Sequence, residues 1–392
     1  MTTSHLMNNY APLPVSFSKG EGIWLEDNKG ERYLDALSGI AVCGLGHAHP
    51  KVAAAISHQA SRLIHTSNVY QIELQEQLAE QLCELSSMDK VFFGNSGAEA
   101  NEAAIKLARL HARRKGIETP TIVVMEGSFH GRTMATLSAT GNDKVKVGFE
   151  PLVQAFVQIP FNDIDALKAV AAQNSNIVAV MCEPVQGEGG VNIPSAGFLT
   201  AIRRVCDQHN WLMMLDEIQT GMGRTGEWFA CQHENVLPDV MTLAKALGNG
   251  VPIGACLARG QAACLFTPGS HGSTFGGNPL ACSVGLAVIK TLQANNLIDQ
   301  AKMQGKYLLQ AFQKSLEGVS GVVEIRGKGM MLGIELDKPC AELVQLALDQ
   351  KLLINVTVMN TIRLLPPLIT SQEECDQIVG ILTPIIRSFL QK

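Results

Sequence analysis

Charge is scarce in this 392-residue chain, with Asp, Glu, Lys and Arg making up only 17% of it. The 31 basic residues are outnumbered by 36 acidic ones, leaving a formal charge of −5. No basic excess exists to attract nucleic-acid phosphates or an anionic lipid surface, so neither nucleic acid nor membrane is expected as a partner. No apolar run approaches the roughly 18 residues a membrane helix requires, and Met1 to Leu13 lacks the basic and apolar blocks of an export signal. A cytoplasmic location is the expectation. The ten cysteines include no CxxC pair and are scattered through apolar stretches, which reads as reduced, buried hydrophobes rather than a disulfide framework or a zinc site. The chain also lacks repeats, charge blocks, low-complexity linkers and the GxxxxGK[ST] loop of nucleoside-triphosphate enzymes.

What is present is apolar, at 46% of residues, which argues for a chain that hides much of its surface, part of it in a subunit interface. At about 150 residues per domain, the length predicts roughly two or three domains. Short runs such as Thr121 to Met125, Ile177 to Met181, Trp211 to Leu215 and Val240 to Leu243 are apolar throughout, as strands covered on both faces must be. They are separated by stretches of helical spacing, including Asn101 to Arg114 and Leu199 to His209. Strand alternating with helix predicts an α/β fold around a mostly parallel sheet.

The tail reads differently. Leu292 to Leu316 suits one long amphipathic helix, Val322 to Arg326 and Met331 to Leu336 suit paired strands, and Cys340 to Gln350 a helix. Ile354 to Val358 and Thr361 to Leu364 follow as short strands, with Gln372 to Leu390 as a last helix, so the tail forms an α+β lobe with its own core. Near the start, Ile23 to Glu26 and Arg32 to Asp35 flank Asn28-Lys29-Gly30, the composition of a hairpin turn that could join either lobe.

Three features carry chemistry. Ser96-Gly97-Ala98-Glu99 opens a helix with a capping-box pattern, and a helix start preceded by small residues is a ready phosphate site. Asp216 directly follows a buried strand, and open α/β folds bind ligands outside the carboxyl ends of such strands. Lys245 follows the next strand among Ala and Leu residues, where desolvation favours the neutral amine that attacks carbonyls. One cofactor needs all three: pyridoxal phosphate takes a lysine for covalent attachment, an acid for its pyridine nitrogen and an anion site for its phosphate. Phe129 is the candidate ring to stack on the pyridine.

Competing patterns are weaker. Gly221-Met222-Gly223-Arg224-Thr225-Gly226 matches GxGxxG and invites a nicotinamide oxidoreductase. No apolar helical stripe follows it, however, and position 246 is Ala where a ribose-binding acid would stand. His47 and His49 have no third ligand at helical spacing, so no metal is expected. His130 reads as a local hydrogen-bond partner, Arg224 as a loop anchor, and Glu217 as pointing away from Asp216 across an extended chain. A non-catalytic binding module would have shed Lys245 or Asp216, and both are present.

Taken in order, further segments resemble the class III, or ω-amino-acid, aminotransferases of PLP fold type I nearly end to end. They include Gly39 to Val42, Gly46-His47, His65 to Asn68, Phe129 to Arg132, Glu183 to Glu188, Asp216 to Gly221, Gly272 to Pro279 and Arg363 to Pro367. The resemblance implies a large PLP-binding α/β domain over residues 50–293 and a smaller one from 1–49 and 294–392. It implies that Lys245 is the Schiff-base lysine and proton shuttle, Asp216 the ring-nitrogen partner, Gln219 a neighbour of the 3′-oxygen, Gly97 and Ala98 the phosphate-binding helix start and Phe129 the stacking ring. Thr274 is implied as a phosphate ligand donated across a homodimer, with Ser273 beside it near substrate. Arg363 is implied to grip the α-carboxylate of glutamate or 2-oxoglutarate, Arg132 the distal carboxylate, and Glu188 to pair with Arg363 when a substrate offers no carboxylate there. Within the family the closest likeness is to the branch that exchanges an amino group between N2-acetylornithine and 2-oxoglutarate. Succinylornithine, N-succinyl-diaminopimelate and ornithine remain open as donors, since they differ by pocket contacts of only a few kcal/mol.

Overall fold

Strands with no polar face must lie in the middle of a layered structure, and the apolar runs of the central chain do so. A computed structural model describes residues 5–392. Residues 1–4, with which the export-signal reading and the expected smaller domain begin, lie outside the described residues. The main sheet has seven strands, in the order Lys90–Gly94, Gly254–Ala258, Val240–Leu243, Leu212–Asp216, Ile177–Cys182, Thr121–Met125 and Phe156–Ile159. Six of these run in the same direction, and Gly254–Ala258 alone among the seven is antiparallel to its neighbours.

Side chains alternate across this sheet with period two. Ile122, Val124, Leu212 and Met214 face helix Gly97–Arg114, which answers with Ala103, Ala104, Ala108 and Ala112. Small residues there let the helix lie close to the strands. Val123, Met125, Met213 and Leu215 face the other way, onto Phe198, Ile202 and Cys206 of helix Phe198–His209 and onto helix Pro279–Ala294.

A second apolar core belongs to the tail. The sheet ordered Val322–Lys328, Met331–Leu336, Thr361–Leu364, Asn355–Thr357 packs Leu332, Ile334, Ile362 and Leu364 against Leu308 and Phe312 of helix Leu297–Ser315 and Ile378, Leu382 and Ile386 of helix Gln372–Leu390. The N-terminal hairpin Trp24–Asp27 and Arg32–Asp35, whose place the sequence left open, joins this core. Arg32–Asp35 pairs in parallel with Leu352–Leu353, and Ile23 and Leu34 are buried with the tail residues. Its turn is closed by Asp27, whose Oδ1 accepts the N–H groups of Lys29 (2.8 Å) and Glu31 (2.9 Å).

Three expectations need correction. The single helix expected from Leu292 to Leu316 is two helices, Pro279–Ala294 and Leu297–Ser315, broken at Asn295 and Asn296. Asn296 adopts φ 50, a left-handed conformation that asparagine tolerates better than most residues, so the periodic pattern continues across a corner. The helix expected to start at Cys340 starts at Glu342, and the strand expected over Ile354 to Val358 shrinks to Asn355–Thr357 because Val358 and Met359 are left-handed.

The link from the hairpin to the cavity described below is unusual. Ser38, Gly39, Ile40 and Ala41 have φ of 49, 65, 65 and 61, a full turn of left-handed helix closed by Val42 N–H to Ser38 O at 2.9 Å. Left-handed backbone costs L-residues about 1–2 kcal/mol each. Here it is held by Asp35, whose Oδ1 accepts from Leu37 and Ser38 N–H at 2.8 Å each, and by Ser38 Oγ, which donates to Leu365 O at 2.6 Å.

All ten cysteines are free, and only Cys264 is exposed. Among the described residues no group of three or more His, Cys, Asp or Glu could hold a metal, and no helix is long and apolar enough to cross a membrane.

Gly305 tests how helix Leu297–Ser315 is seated. An exposed helical glycine changed to alanine gains about 1 kcal/mol from propensity. At Gly305 a Cβ would lie 2.0 Å from the carbonyl oxygen of Gly329, in the turn between two strands. Gly305→Ala is therefore expected to lower stability by about 2 kcal/mol or more through overpacking. Urea denaturation reads the sign directly, and a midpoint at or above that of the parent would contradict this packing.

Candidate active site

The carboxyl ends of the parallel strands open into a cavity of about 410 Å³. Five of them lead into its wall. Lys90–Gly94 runs into Ser96, Gly97 and Ala98; Thr121–Met125 into Phe129 and His130; Ile177–Cys182 into Glu183 and Glu188; Leu212–Asp216 into Asp216 itself; and Val240–Leu243 into Lys245. The antiparallel strand contributes its amino end instead, through Val251 and Ile253. It sits so close to the helix start that a Cβ on Gly254 would lie 2.2 Å from Ser96 O.

The helix start is capped, with one difference from the expected box. Ser96 Oγ accepts Glu99 N–H at 3.2 Å, but the Glu99 carboxylate takes the N–H and side-chain amide of Asn95 rather than the backbone of Ser96. The amides of Gly97 and Ala98, the first two of the helix, keep no acceptor among the described residues and face the cavity end, which is what an anion site requires.

Lys245 stands just past its strand in a left-handed conformation, φ 44. A non-glycine residue held there marks stored strain, as functional positions often do. Burial lowers its pKa to about 8; Glu188 and Asp216 work against this and Arg363 adds to it. The amine form is thus within reach near neutral pH.

Asp216 is buried and its oxygens are occupied asymmetrically. Oδ2 accepts from Asn101 Nδ2 and His130 Nδ1, both at 2.8 Å, and among the described residues Oδ1 accepts only Ile218 N–H, at 3.1 Å. Burial opposes protonation of His130, but the Asp216 carboxylate outweighs it and raises the imidazole pKa. Burial pushes Glu183 up as well; its carboxylate accepts the N–H groups of Phe129 (3.0 Å) and Gly187 (3.2 Å). Glu217 faces elsewhere and accepts from Ala230 and Cys231 N–H at 2.9 and 2.8 Å. The GxGxxG segment is a loop followed by a short 3₁₀ turn, Ala230–Glu234, not by the helix a dinucleotide needs. Its Arg224 is buried and ties the loop to the tail through Met330 O (2.9 Å) and Pro366 O.

Arg363 is fully buried behind the cavity wall. Its Nη1 pairs with Glu188 Oε1 at 2.7 Å and reaches Gln219 Oε1 at 3.4 Å, while Nε donates to Asn355 Oδ1 at 3.1 Å. Nη2 has no partner among the described residues, an open donor suited to a carboxylate. Arg132 is exposed at the mouth, its guanidinium 5.7 Å from the Phe129 ring centre. Ser273 and Thr274 do not reach this cavity wall within one chain. Ser273 Oγ accepts from Asn95 (3.2 Å) and Gly276 N–H (3.0 Å), and Thr274 is exposed on its loop.

Sequence reasoning missed Asn101 and gave Glu183 no role. Asn101 had a signal: a polar residue at the position of an otherwise alanine-lined helix face.

The family described as aminotransferase class-III matches residues 6–386. This chain belongs to the class-III aminotransferases. Such enzymes depend on pyridoxal phosphate, and the residues present fit it: two unpartnered amides for a phosphate, an Asp216 oxygen with a lone pair left, and a desolvated lysine. The class-III chain is 57% identical over 388 residues to the acetylornithine aminotransferase of Nitrosomonas europaea, covering 99% of both. Among solved structures it superposes on the ornithine aminotransferase of Toxoplasma gondii, described with partial occupancy of PLP at its active site, with TM-score 0.95 and 34% identity over 99% of this chain and 94% of that one. The acetylornithine aminotransferase of Elizabethkingia anophelis gives TM-score 0.88 and 37% identity, with coverages of 98% and 97%.

The lowered pKa of Lys245 has a kinetic signature. Only the amine can attack the aldehyde, so capture of added pyridoxal phosphate by the cofactor-free protein should speed up as pH rises and level off above about 8. Stopped-flow absorbance measures this, and a rate still climbing toward about 10.4, the pKa of an unperturbed lysine, would show that the amine is not desolvated.

Proposed function

We propose that this chain transfers the side-chain amino group of N2-acetyl-L-ornithine to 2-oxoglutarate, giving N-acetyl-L-glutamate 5-semialdehyde and L-glutamate, a step of arginine biosynthesis. The observation that carries the reading is the pairing of Arg363 with Glu188 at the cavity wall, in a chain whose relatives at 46–57% identity are named acetylornithine aminotransferases. A transaminase of this kind must accept a donor whose reacting end has no carboxylate and an acceptor that has two. An arginine that can be closed by an internal acid serves both.

When bound, pyridoxal phosphate supplies the carbonyl that receives the amino group and a ring that takes up the electron pair left when the substrate carbon loses its proton. The chain's own residues do the rest. Lys245 would hold the cofactor, and its amine would be the group that takes the proton from the substrate carbon. Asp216 would keep the ring nitrogen protonated, Gly97 and Ala98 would hold the phosphate, Phe129 would pack on the ring and Gln219 would serve its 3′-oxygen. Glu188 neutralises Arg363 while acetylornithine is bound and swings off when the α-carboxylate of glutamate or 2-oxoglutarate arrives. Arg132, at the mouth, holds the distal carboxylate of glutamate and the α-carboxylate of acetylornithine in turn. The same reading assigns residues 50–293 to the cofactor-binding domain and 1–49 with 294–392 to the smaller one. It places the enzyme in the cytoplasm as a homodimer, with Thr274, and Ser273 beside it, serving the partner's cavity.

The direct test is the visible absorption of the purified holoenzyme before and after N2-acetyl-L-ornithine, with no keto acid present. The yellow colour is expected to bleach. Bleaching by glutamate or ornithine but not by acetylornithine would discard the donor, and a colourless protein unable to take up the cofactor would discard the reading.

Glu188→Gln separates the two half-reactions. Loss of a charged hydrogen-bond partner, worth about 1.5–3 kcal/mol, should slow the acetylornithine half-reaction about 10- to 100-fold while the glutamate half-reaction changes much less. Single-turnover absorbance measures both, and equal losses would remove the switch role.

A further inference from the structure

Asn101 is fully buried on the sheet-facing side of helix Gly97–Arg114. Its Oδ1 accepts the hydroxyl of Thr242 at 2.7 Å, and Thr242 is the residue paired with Asp216 across adjacent parallel strands. The hydroxyl can donate or accept, so it is the two pure acceptors on the other side of the amide, His130 O and Asp216 Oδ2, that fix which way it points. Nδ2 then donates one hydrogen to His130 O and the other to Asp216 Oδ2, both at 2.8 Å. The flipped amide would set oxygen against the carboxylate and against the carbonyl of His130, two acceptor–acceptor contacts in a dry interior. With His130 Nδ1 as second donor, Oδ2 has both lone pairs filled. Only Oδ1, with the single Ile218 N–H on it, keeps a lone pair for the cavity.

We propose that Asn101 is a positioning residue of the transamination: anchored by Thr242, it holds Asp216 by its inner oxygen and thereby presents Oδ1 to the ring nitrogen of pyridoxal phosphate. The inference rests on the assignment of Asp216 to that nitrogen. Without Asn101 the inner oxygen keeps only His130 Nδ1, so the carboxylate is held less firmly about its χ2, the hydrogen bond to the ring nitrogen lengthens and the ring draws electrons less strongly. Substrate carboxylates are held by arginines on other elements, so binding of substrate is spared while proton removal slows.

Asn101→Ala and Thr242→Val holoenzymes test this, with Asp216→Asn for reference. In Asn101→Ala, kcat should fall about 10- to 100-fold, the loss expected for one hydrogen bond to a charged group, with KM for both substrates within about twofold. The pyridoxal phosphate concentration that half-saturates the cofactor-free variant, read from absorbance, should rise about tenfold, and the pH midpoint of the bound cofactor's absorption should move. Thr242→Val should shift the same quantities in the same direction, and Thr242→Ser, which keeps the hydroxyl, should recover most of the loss. A folded Asn101→Ala with unaltered kcat, half-saturation and midpoint overturns the proposal. So do losses that track thermal stability alone. If Asn101→Ala does not fold, equal kcat for Thr242→Val and Thr242→Ser overturns it. An Asp216→Asn enzyme of full activity overturns instead the assignment beneath it, whereas an inactive Asp216→Asn beside an unaffected Asn101→Ala rejects the role of Asn101 alone.

Discussion

A carboxylate buried at the end of a central strand must find donors there or be neutralised, and Asp216 finds them on three different elements. Asn101 comes from the helix that covers one face of the sheet, His130 from the loop after another strand, and Ile218 N–H from the chain just beyond Asp216 itself. Each donor depends on the architecture around it. The alanines of helix Gly97–Arg114 bring Asn101 down to the strands, and the parallel register that sets Thr242 beside Asp216 provides the hydroxyl that anchors it. Moving one strand by one residue would turn Thr242 to the other face and leave the amide unanchored.

The rest of the cavity follows a similar division of labour between charge and cover. The large sheet supplies the lysine and the acid, whereas the buried arginine behind the wall comes from the tail. Arg363 lies in strand Thr361–Leu364, opposite Gly333 on one side and Asn355 on the other. A Cβ at Gly333 would meet Val191 at 3.0 Å and Gly190 O at 3.2 Å, so the tail sheet presses directly on the segment that carries Glu188. The ion pair between Glu188 and Arg363 therefore joins the two cores at the point where chemistry is assigned.

Much of this was legible in the sequence because it follows from local rules. Strands buried on both faces announce themselves as unbroken apolar runs, and Asp216 and Lys245 stand out as charges placed immediately after them. The helix start at Ser96 was visible in its cap. Position-specific readings that depend on who sits opposite were not legible: the partner of the N-terminal hairpin, the break at Asn295 and Asn296 inside a continuous apolar period, and the shift of the Glu99 carboxylate from Ser96 to Asn95. Asn101 was hidden for a related reason. A single polar residue on an alanine face becomes meaningful only when Thr242, 141 positions away, is found against it. The left-handed turn at Ser38 to Ala41 had only Gly39 to suggest it, and three of its four residues disfavour the conformation they adopt.

That turn also bears on the order in which the molecule can be completed. Its anchors come from both ends of the chain: Asp35 from the first hairpin, and the carbonyl of Leu365 from beyond Arg363. Val42, which follows the turn, is part of the cavity wall. A nascent chain on the ribosome has made Lys245 and Asp216 long before Arg363 and Leu365 emerge, and domains form from the amino end as synthesis proceeds. The residues from Ser96 to Lys245 that line the cavity are thus made early, whereas Arg363 behind its wall and the Leu365 carbonyl that clamps the turn come only with the last part of the chain, so the wall can close only after synthesis is nearly complete.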